Sequence, residues 1–151
     1  MSVIDDAVNW AIGIANDNSR GYDQTYRDGP NYDCSSLVCW AYYNAGLNTR
    51  PGYTAAGFQD VTGSVNLSTG SGVQRGDVLL NIQNHTAMSI GNGQVVQASQ
   101  NEFGGIVGGQ SGDQTGQEIW VTGYYNYPWN KVLRYGGGGG DGIYIVRWIP
   151  G

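Results

Sequence analysis

Hydrophobic positions recur at helical spacing in the first third of the chain and alternate over short runs after residue 76. In residues 2–16, Val3, Ile4, Ala7, Val8, Ala11, Ile12 and Ala15 make one apolar stripe. Ser2, with Asp5 three residues on, can cap its start, so a helix is predicted there. Residues 16–33 (NDNSRGYDQTYRDGPNYD) are polar and punctuated by Gly and Pro, the pattern of a long loop. A second helix is predicted from about Cys34 to Ala45, with Leu37, Val38, Ala41, Tyr42 and Ala45 on one side and Gly46 as its stop. A short helix around 54–60 fits the pattern less strongly. Residues 77–82, 85–90 and 94–99 then read as short strands separated by turn residues, and EIWVTGYY and KVLRY as further strands. Helices followed by antiparallel strands define an α+β class. The glycine run at 136–142 reads as a flexible tether after a domain spanning 1–135. Residues 143–151 are then either a docking strand or the start of a further module.

The chain has 151 residues, enough for one domain with a core. Its formal charge of −5, with few charged residues in all, argues against nucleic acid as a partner, because phosphate binding calls for clustered Lys and Arg. No run of about 18 apolar residues occurs, so no membrane insertion is expected. The N-terminus lacks a basic region followed by an apolar stretch, so no secretory signal is expected either. Cys34 and Cys39 lie five apart on the predicted helix and point in different directions, so no disulfide between them is expected, and synthesis in a reducing cytosol fits. The abundance of Tyr, Trp and Gly suits a loop-rich protein lined with aromatics.

Cys34 stands between Asp33 and Ser35–Ser36 at the start of the second helix. The amides and dipole of a helix N-terminus stabilise an anion, and a thiol there can ionise below its ordinary value of about 8.5. Cys34 is therefore either a packing residue or a nucleophile with a lowered pKa, whereas Cys39 is most simply a core residue. A nucleophile needs a base, and the chain has one histidine, His85, at the start of a strand. The base needs an orienting partner. If Gly91-Asn92-Gly93 is a three-residue loop, Ile90 faces Gln94, Ala87 faces Gln97 and His85 faces Ser99, which sets Gln97 diagonal to His85 on one face. A two-residue Asn-Gly turn would flip Gln97 to the other face. Ser99 and Asn101 are the competitors for this third role. Asp17, Asn18, Ser19 and Asp23 offer oxygen ligands but lack the spacing of a calcium loop, so a solvated loop is expected and no metal or other cofactor. The glycine-rich segment 100–117 is expected to be a mobile cleft wall. Tyr124, Tyr125, Tyr127 and Trp129 either line that cleft or fill the core beneath it.

Tyr22, Asp33-Cys34-Ser35, Gly76-Asp77, His85 and Gln97, in this order, resemble the NlpC/P60 superfamily of papain-like cell-wall peptidases, in particular its phage endolysin branch. Tyr22 precedes Cys34 by twelve residues and Gln97 follows His85 by twelve, as in that family. The resemblance covers roughly 3–135. Two departures stand out: Ser36 replaces the usual glycine of D-C-S-G, and Gln97 replaces the common histidine. The resemblance implies a papain-like fold with N-terminal helices packed on an antiparallel sheet. It implies that Cys34, His85 and Gln97 are catalytic, with Tyr22, Asp33 and Ser35 supporting the oxyanion or substrate. The implied partner is bacterial peptidoglycan, cut either by a γ-D-glutamyl-diamino-acid endopeptidase, the favoured reading, or by an N-acetylmuramoyl-L-alanine amidase. A monomer is expected, held in the host cytoplasm until a holin opens the membrane, with a cell-wall-binding module after the tether. The rivals are a non-catalytic cell-wall-binding domain that keeps the fold, and a toxin-like cysteine amidase.

Overall fold

The computed structural model describes residues 2–49 and 57–136. Two helices lead, α1 (Val3–Ala15) and α2 (Cys34–Asn44), followed by six strands: β1 (Phe58–Asp60), β2 (Val78–Asn81), β3 (His85–Gly91), β4 (Gln94–Ala98), β5 (Ile119–Gly123) and β6 (Lys131–Tyr135). The strands form one antiparallel sheet in the order β1-β6-β2-β3-β4-β5. This is the α+β arrangement expected from the sequence. The tether at 136–142, apart from Gly136, and the segment 143–151 lie outside the described residues. So does the first part of the predicted helix at 54–60. Its last residues, Phe58–Asp60, are a strand instead, because the exposed edge of β6 offers them backbone partners that so short a helix would lack.

Helix α1 starts where Ser2 Oγ accepts the Asp5 N–H at 3.1 Å, and Asp5 and Asp6 place negative charge at the positive end of the dipole. Ala7, Val8, Ala11 and Ile14 are its buried positions, so the deep stripe runs through Ile14, with Ile12 and Ala15 at its margin. Helix α2 ends at Asn44 with Ala45 as its C-cap, and Gly46 follows at φ +105°, a left-handed conformation that ends helices at little cost only for glycine. Both helices pack on one face of the sheet, against Val78, Met88, Val96, Ile119 and Leu133. The opposite face carries Leu79, Ala87, Val95 and Val132. It is covered by Trp129 and by partly buried Val61, Val65, Leu67 and Val73 from the segment between β1 and β2. The alternation of Val78 with Leu79, and of Ala87 with Met88, is the period-two pattern of strands buried on both faces.

Gly76-Asp77 opens β2 for steric and electrostatic reasons. Gly76 has φ +90°, and a Cβ there would lie 2.6 Å from Ile4 Cγ2 and 3.0 Å from the Tyr42 hydroxyl, which donates to the Gly76 carbonyl. Asp77 is fully buried and takes two bonds from Arg134, Nε at 2.9 Å and Nη2 at 2.7 Å. Together they lock β2 to α1, α2 and β6.

The β3–β4 register corrects one expectation. The turn is the two-residue Asn92–Gly93, both at positive φ, with Gly91 opposite Gln94, and not a three-residue loop. A bulge between Ser89 and Gly91 then inserts Ile90, and pairing resumes as Ser89 with Val95 and Met88 with Val96. The extra residue cancels the flip that the shorter turn alone would cause. Gln97 therefore falls opposite Ala87, on the face of His85, by a different route from the one the sequence suggested.

Candidate active site

The head of α2 is held by a reciprocal cap. Asp33 Oδ1 accepts the Ser36 N–H at 2.8 Å, and Ser36 Oγ accepts the Asp33 N–H at 2.9 Å. Ser36, where the family pattern has glycine, is fully buried and supplies half of this cap. Asp33 thus holds the head of the helix through a backbone N–H. Its second oxygen meets the guanidinium of Arg27, a partner the sequence did not reveal. The Ser35 hydroxyl also turns toward Asp33 Oδ1, at 3.4 Å.

Cys34 is the first residue of α2 and is 2% exposed. Here the expectation of an acidified thiol is corrected. Burial, followed by the nearby Asp33 carboxylate, pushes the Cys34 thiol up to about 12. Backbone hydrogen bonds from Thr86, Ser35 and Cys34 itself act the other way and are outweighed. The helix start orients the sulfur without making it a standing thiolate. Cys39, one turn and a half further on, sits in the core between the helices and the sheet, and burial raises its thiol as well. Neither cysteine is in a disulfide.

His85 opens β3 next to Thr86, whose backbone reaches the Cys34 sulfur. Its Nε2 lies 2.9 Å from Gln97 Oε1. An amide oxygen can only accept, so this contact assigns the ring proton to Nε2 and leaves Nδ1 with a lone pair. Burial lowers the His85 pKa below its ordinary value, and the Gln97 bond offsets this only in part. Burial thus disfavours the charged form of both groups, which line one cleft. The ring is caged by aromatics. Trp129 stacks on it at 5.7 Å between ring centroids and 24° between planes, and Tyr127 lies at 5.0 Å. The Tyr125 hydroxyl donates to the same Gln97 oxygen. The run 124–129 thus serves both roles considered for it: Tyr124 packs beneath the sheet, while Tyr125 and Tyr127 face the cleft.

A cleft of about 330 Å³ is lined by Tyr22, Cys34, Asn84, His85, Ser99, Gln100, Ile106, Tyr125 and Tyr127. Tyr22 is almost fully buried, and its hydroxyl oxygen accepts from Gln24 Nε2 at 3.2 Å, which leaves the O–H hydrogen available to the cleft. Of the competitors to Gln97, Ser99 bonds the Gln117 carbonyl and Trp120 Nε1. Asn101 is spent on its own loop, where it accepts from Phe103 N and Gly105 N and donates to the Val107 carbonyl.

The 100–117 segment does form a cleft wall, through Ile106, but it is more firmly tied than its glycines suggested. Asn101 closes one half of it. In the other half Asp113 accepts from the backbone of Thr115, Gly116, Glu118 and Ile119. Gln24 N donates to the Ile106 carbonyl at 2.9 Å, and buried Glu118 accepts from Tyr22 N, so both halves are stitched to the loop that carries Tyr22. In the 16–33 loop, Asp17 accepts from Ser19 and Arg20, and Asp23 accepts from Thr25 N. Their oxygens serve local turns.

Residues 3–106 match a family described as bacteriophage peptidoglycan hydrolase, and residues 95–137 match an endolysin-like domain. No curated protein matches the chain. Among solved structures, NlpC2 from Trichomonas vaginalis is 19% identical with a TM-score of 0.53, over 86% of this chain and 47% of that one. NlpC1 from the same organism is 22% identical with a TM-score of 0.50, over 86% and 44%. The resuscitation promoting factor interacting protein RipA is 17% identical with a TM-score of 0.51, over 87% and 63%. The chain spans less than half the length of the two Trichomonas proteins. These likenesses establish the NlpC/P60 type of α+β fold. The chain belongs to the bacteriophage peptidoglycan hydrolase family.

Proposed function

We propose that this member of the family hydrolyses an amide bond in the stem peptide of bacterial peptidoglycan, with Cys34 as nucleophile, His85 as general base and acid, and Gln97 orienting the imidazole. The observation that carries the reading is the 2.9 Å contact of His85 Nε2 with Gln97 Oε1, made while His85 and Cys34 line one cleft. In the first step His85 Nδ1 takes the thiol proton as sulfur bonds to the amide carbon. Because burial disfavours both charged forms, this transfer is part of the attack and not a prior ionisation. The backbone N–H of Cys34 and the Tyr22 hydroxyl are suited to hold the resulting oxyanion. His85 then gives the proton to the leaving amine, the C–N bond breaks, and a thioester to Cys34 remains. Water, deprotonated by His85, attacks the thioester, and the carboxylic acid leaves as the thiol is restored. One water is consumed per bond cut.

Within this reading the bond is the one between γ-D-glutamate and the diamino acid, as the family resemblance suggests, and N-acetylmuramoyl-L-alanine amidase is the alternative. The catalytic unit ends near residue 135 and acts as a monomer. A cell-wall-binding module follows the 136–142 tether, and the enzyme reaches the wall from the host cytoplasm after a holin opens the membrane. Digestion of purified peptidoglycan followed by mass spectrometry of the fragments tests the reading. New amino termini at the diamino acid are expected; new termini at L-alanine mean an amidase. Cys34→Ala should abolish fragment release in a folded protein. Release at the wild-type rate by that variant would overturn the cysteine mechanism.

A further inference from the structure

Gln97 Oε1 receives two groups at once, the His85 ring nitrogen at 2.9 Å and the Tyr125 hydroxyl. A carbonyl oxygen has two lone pairs, one for each. Turned over, the amide would present NH2 to both neighbours, and His85 would have to accept at Nε2 and carry its proton on Nδ1. Tyr125 discriminates between these states. Its ring withdraws electron density from the phenolic oxygen, so the O–H is a better donor than the oxygen is an acceptor. Gln97 is buried, which leaves little room for water to substitute. The cage around His85 favours the neutral ring, and a neutral ring has one proton to place. Tyr125 also reaches the ring from a second side. Its backbone carbonyl accepts from Trp129 Nε1 at 2.6 Å, and Trp129 stacks on the imidazole.

We infer that Tyr125 is a positioning residue for His85: its hydroxyl holds the Gln97 amide oxygen toward the ring and so selects the tautomer with the proton on Nε2 and the lone pair on Nδ1. The inference rests on the proposed catalytic role of His85 for its effect on rate, but the tautomer can be read without any reaction.

His85 is the one histidine of the chain, so ¹⁵N NMR of the labelled imidazole reports on it alone. The wild-type protein should show a protonated Nε2 and an unprotonated Nδ1. Tyr125→Phe removes the hydroxyl but keeps the ring and the carbonyl that holds Trp129. It should give a mixture of tautomers and a kcat lowered about tenfold, the scale of one hydrogen bond, with KM little changed. A carboxylate has no NH2 face, so Gln97→Glu combined with Tyr125→Phe should restore the single tautomer. A pure Nε2–H tautomer in Tyr125→Phe, or a rise in KM with kcat unchanged, would overturn the inference. Hydrolysis surviving in Cys34→Ala would overturn the nucleophile assignment while leaving the NMR result standing.

Discussion

Arg27 and Asp33 form an ion pair inside the protein, with side chains 4% and 0% exposed. Asp33 serves two structures at once: Oδ1 caps α2 at the candidate nucleophile, and Oδ2 takes the guanidinium. Removing Arg27 strands a buried carboxylate next to Cys34. Arg27→Met should destabilise the fold by about 3–5 kcal/mol. Adding Asp33→Asn should recover much of that loss, because the amide oxygen still caps and no charge is left. Urea unfolding of the four proteins of this cycle measures the coupling, and simple additivity would contradict it.

The acidities of the pair set a pH window. The folded protein binds the His85 proton less readily than the unfolded chain, whose histidine titrates near about 6.5. Stability from this site is therefore complete above about 6.5 and is lost as pH falls through the lower folded value. Hydrolysis should fail as pH falls through that lower folded value, since a protonated ring cannot act as base. Gln97→Glu should move this acid limb upward, because a carboxylate favours the imidazolium. Rate–pH profiles and the NMR titration of His85 check both statements. With its thiol pushed up to about 12, Cys34 should react with iodoacetamide at a rate that still climbs above pH 9. A plateau near neutral pH would show a preformed thiolate–imidazolium pair instead.

Cys39→Ala should keep activity and cost about 1–2 kcal/mol, the price of a small cavity in the core beneath α2. Thermal unfolding together with the fragment-release assay separates the two cysteines. Loss of hydrolysis in a folded Cys39→Ala would reverse their assignment.

Asn101 is 3% exposed and closes the turn that presents Ile106 to the cleft. Hydrogen exchange at the Phe103 and Gly105 amides should be slow, and Asn101→Ala should make it fast. With the wall loosened, KM should rise severalfold while kcat changes less. Fast exchange at these amides in the wild-type protein would return the loop to the mobile state its glycines suggest.

Gly76→Ala should destabilise by on the order of 2 kcal/mol or more, since a Cβ meets Ile4 and Tyr42 and φ is +90°. Ile4→Ala on the same background should relieve part of the clash but none of the backbone strain. Thermal unfolding of both variants tells the two contributions apart.

The elements with a strong local signal were legible in the sequence. The stripe and cap of α1, the Asp33–Cys34 start of α2 and the alternation in β2 to β6 depend on neighbours a few residues away. The order and spacing of Tyr22, Cys34, His85 and Gln97 along the chain pointed to the family because a motif is read from the chain itself, without any contact. What needed the tertiary structure involves partners that no local pattern pairs. Arg27 finds Asp33 across an irregular loop, and Tyr125, just past the end of β5 in the chain, finds Gln97 on β4. Phe58–Asp60 became a strand because β6 supplied an edge. The bulge at Ile90 brought Gln97 to His85 from a turn that by itself would have separated them, since one residue of slip exchanges the two faces of a strand. The state of Cys34 was decided last of all. A helix start favours a thiolate, but desolvation in the packed interior and the adjacent Asp33 carboxylate outweigh it, and burial is a property of the whole fold.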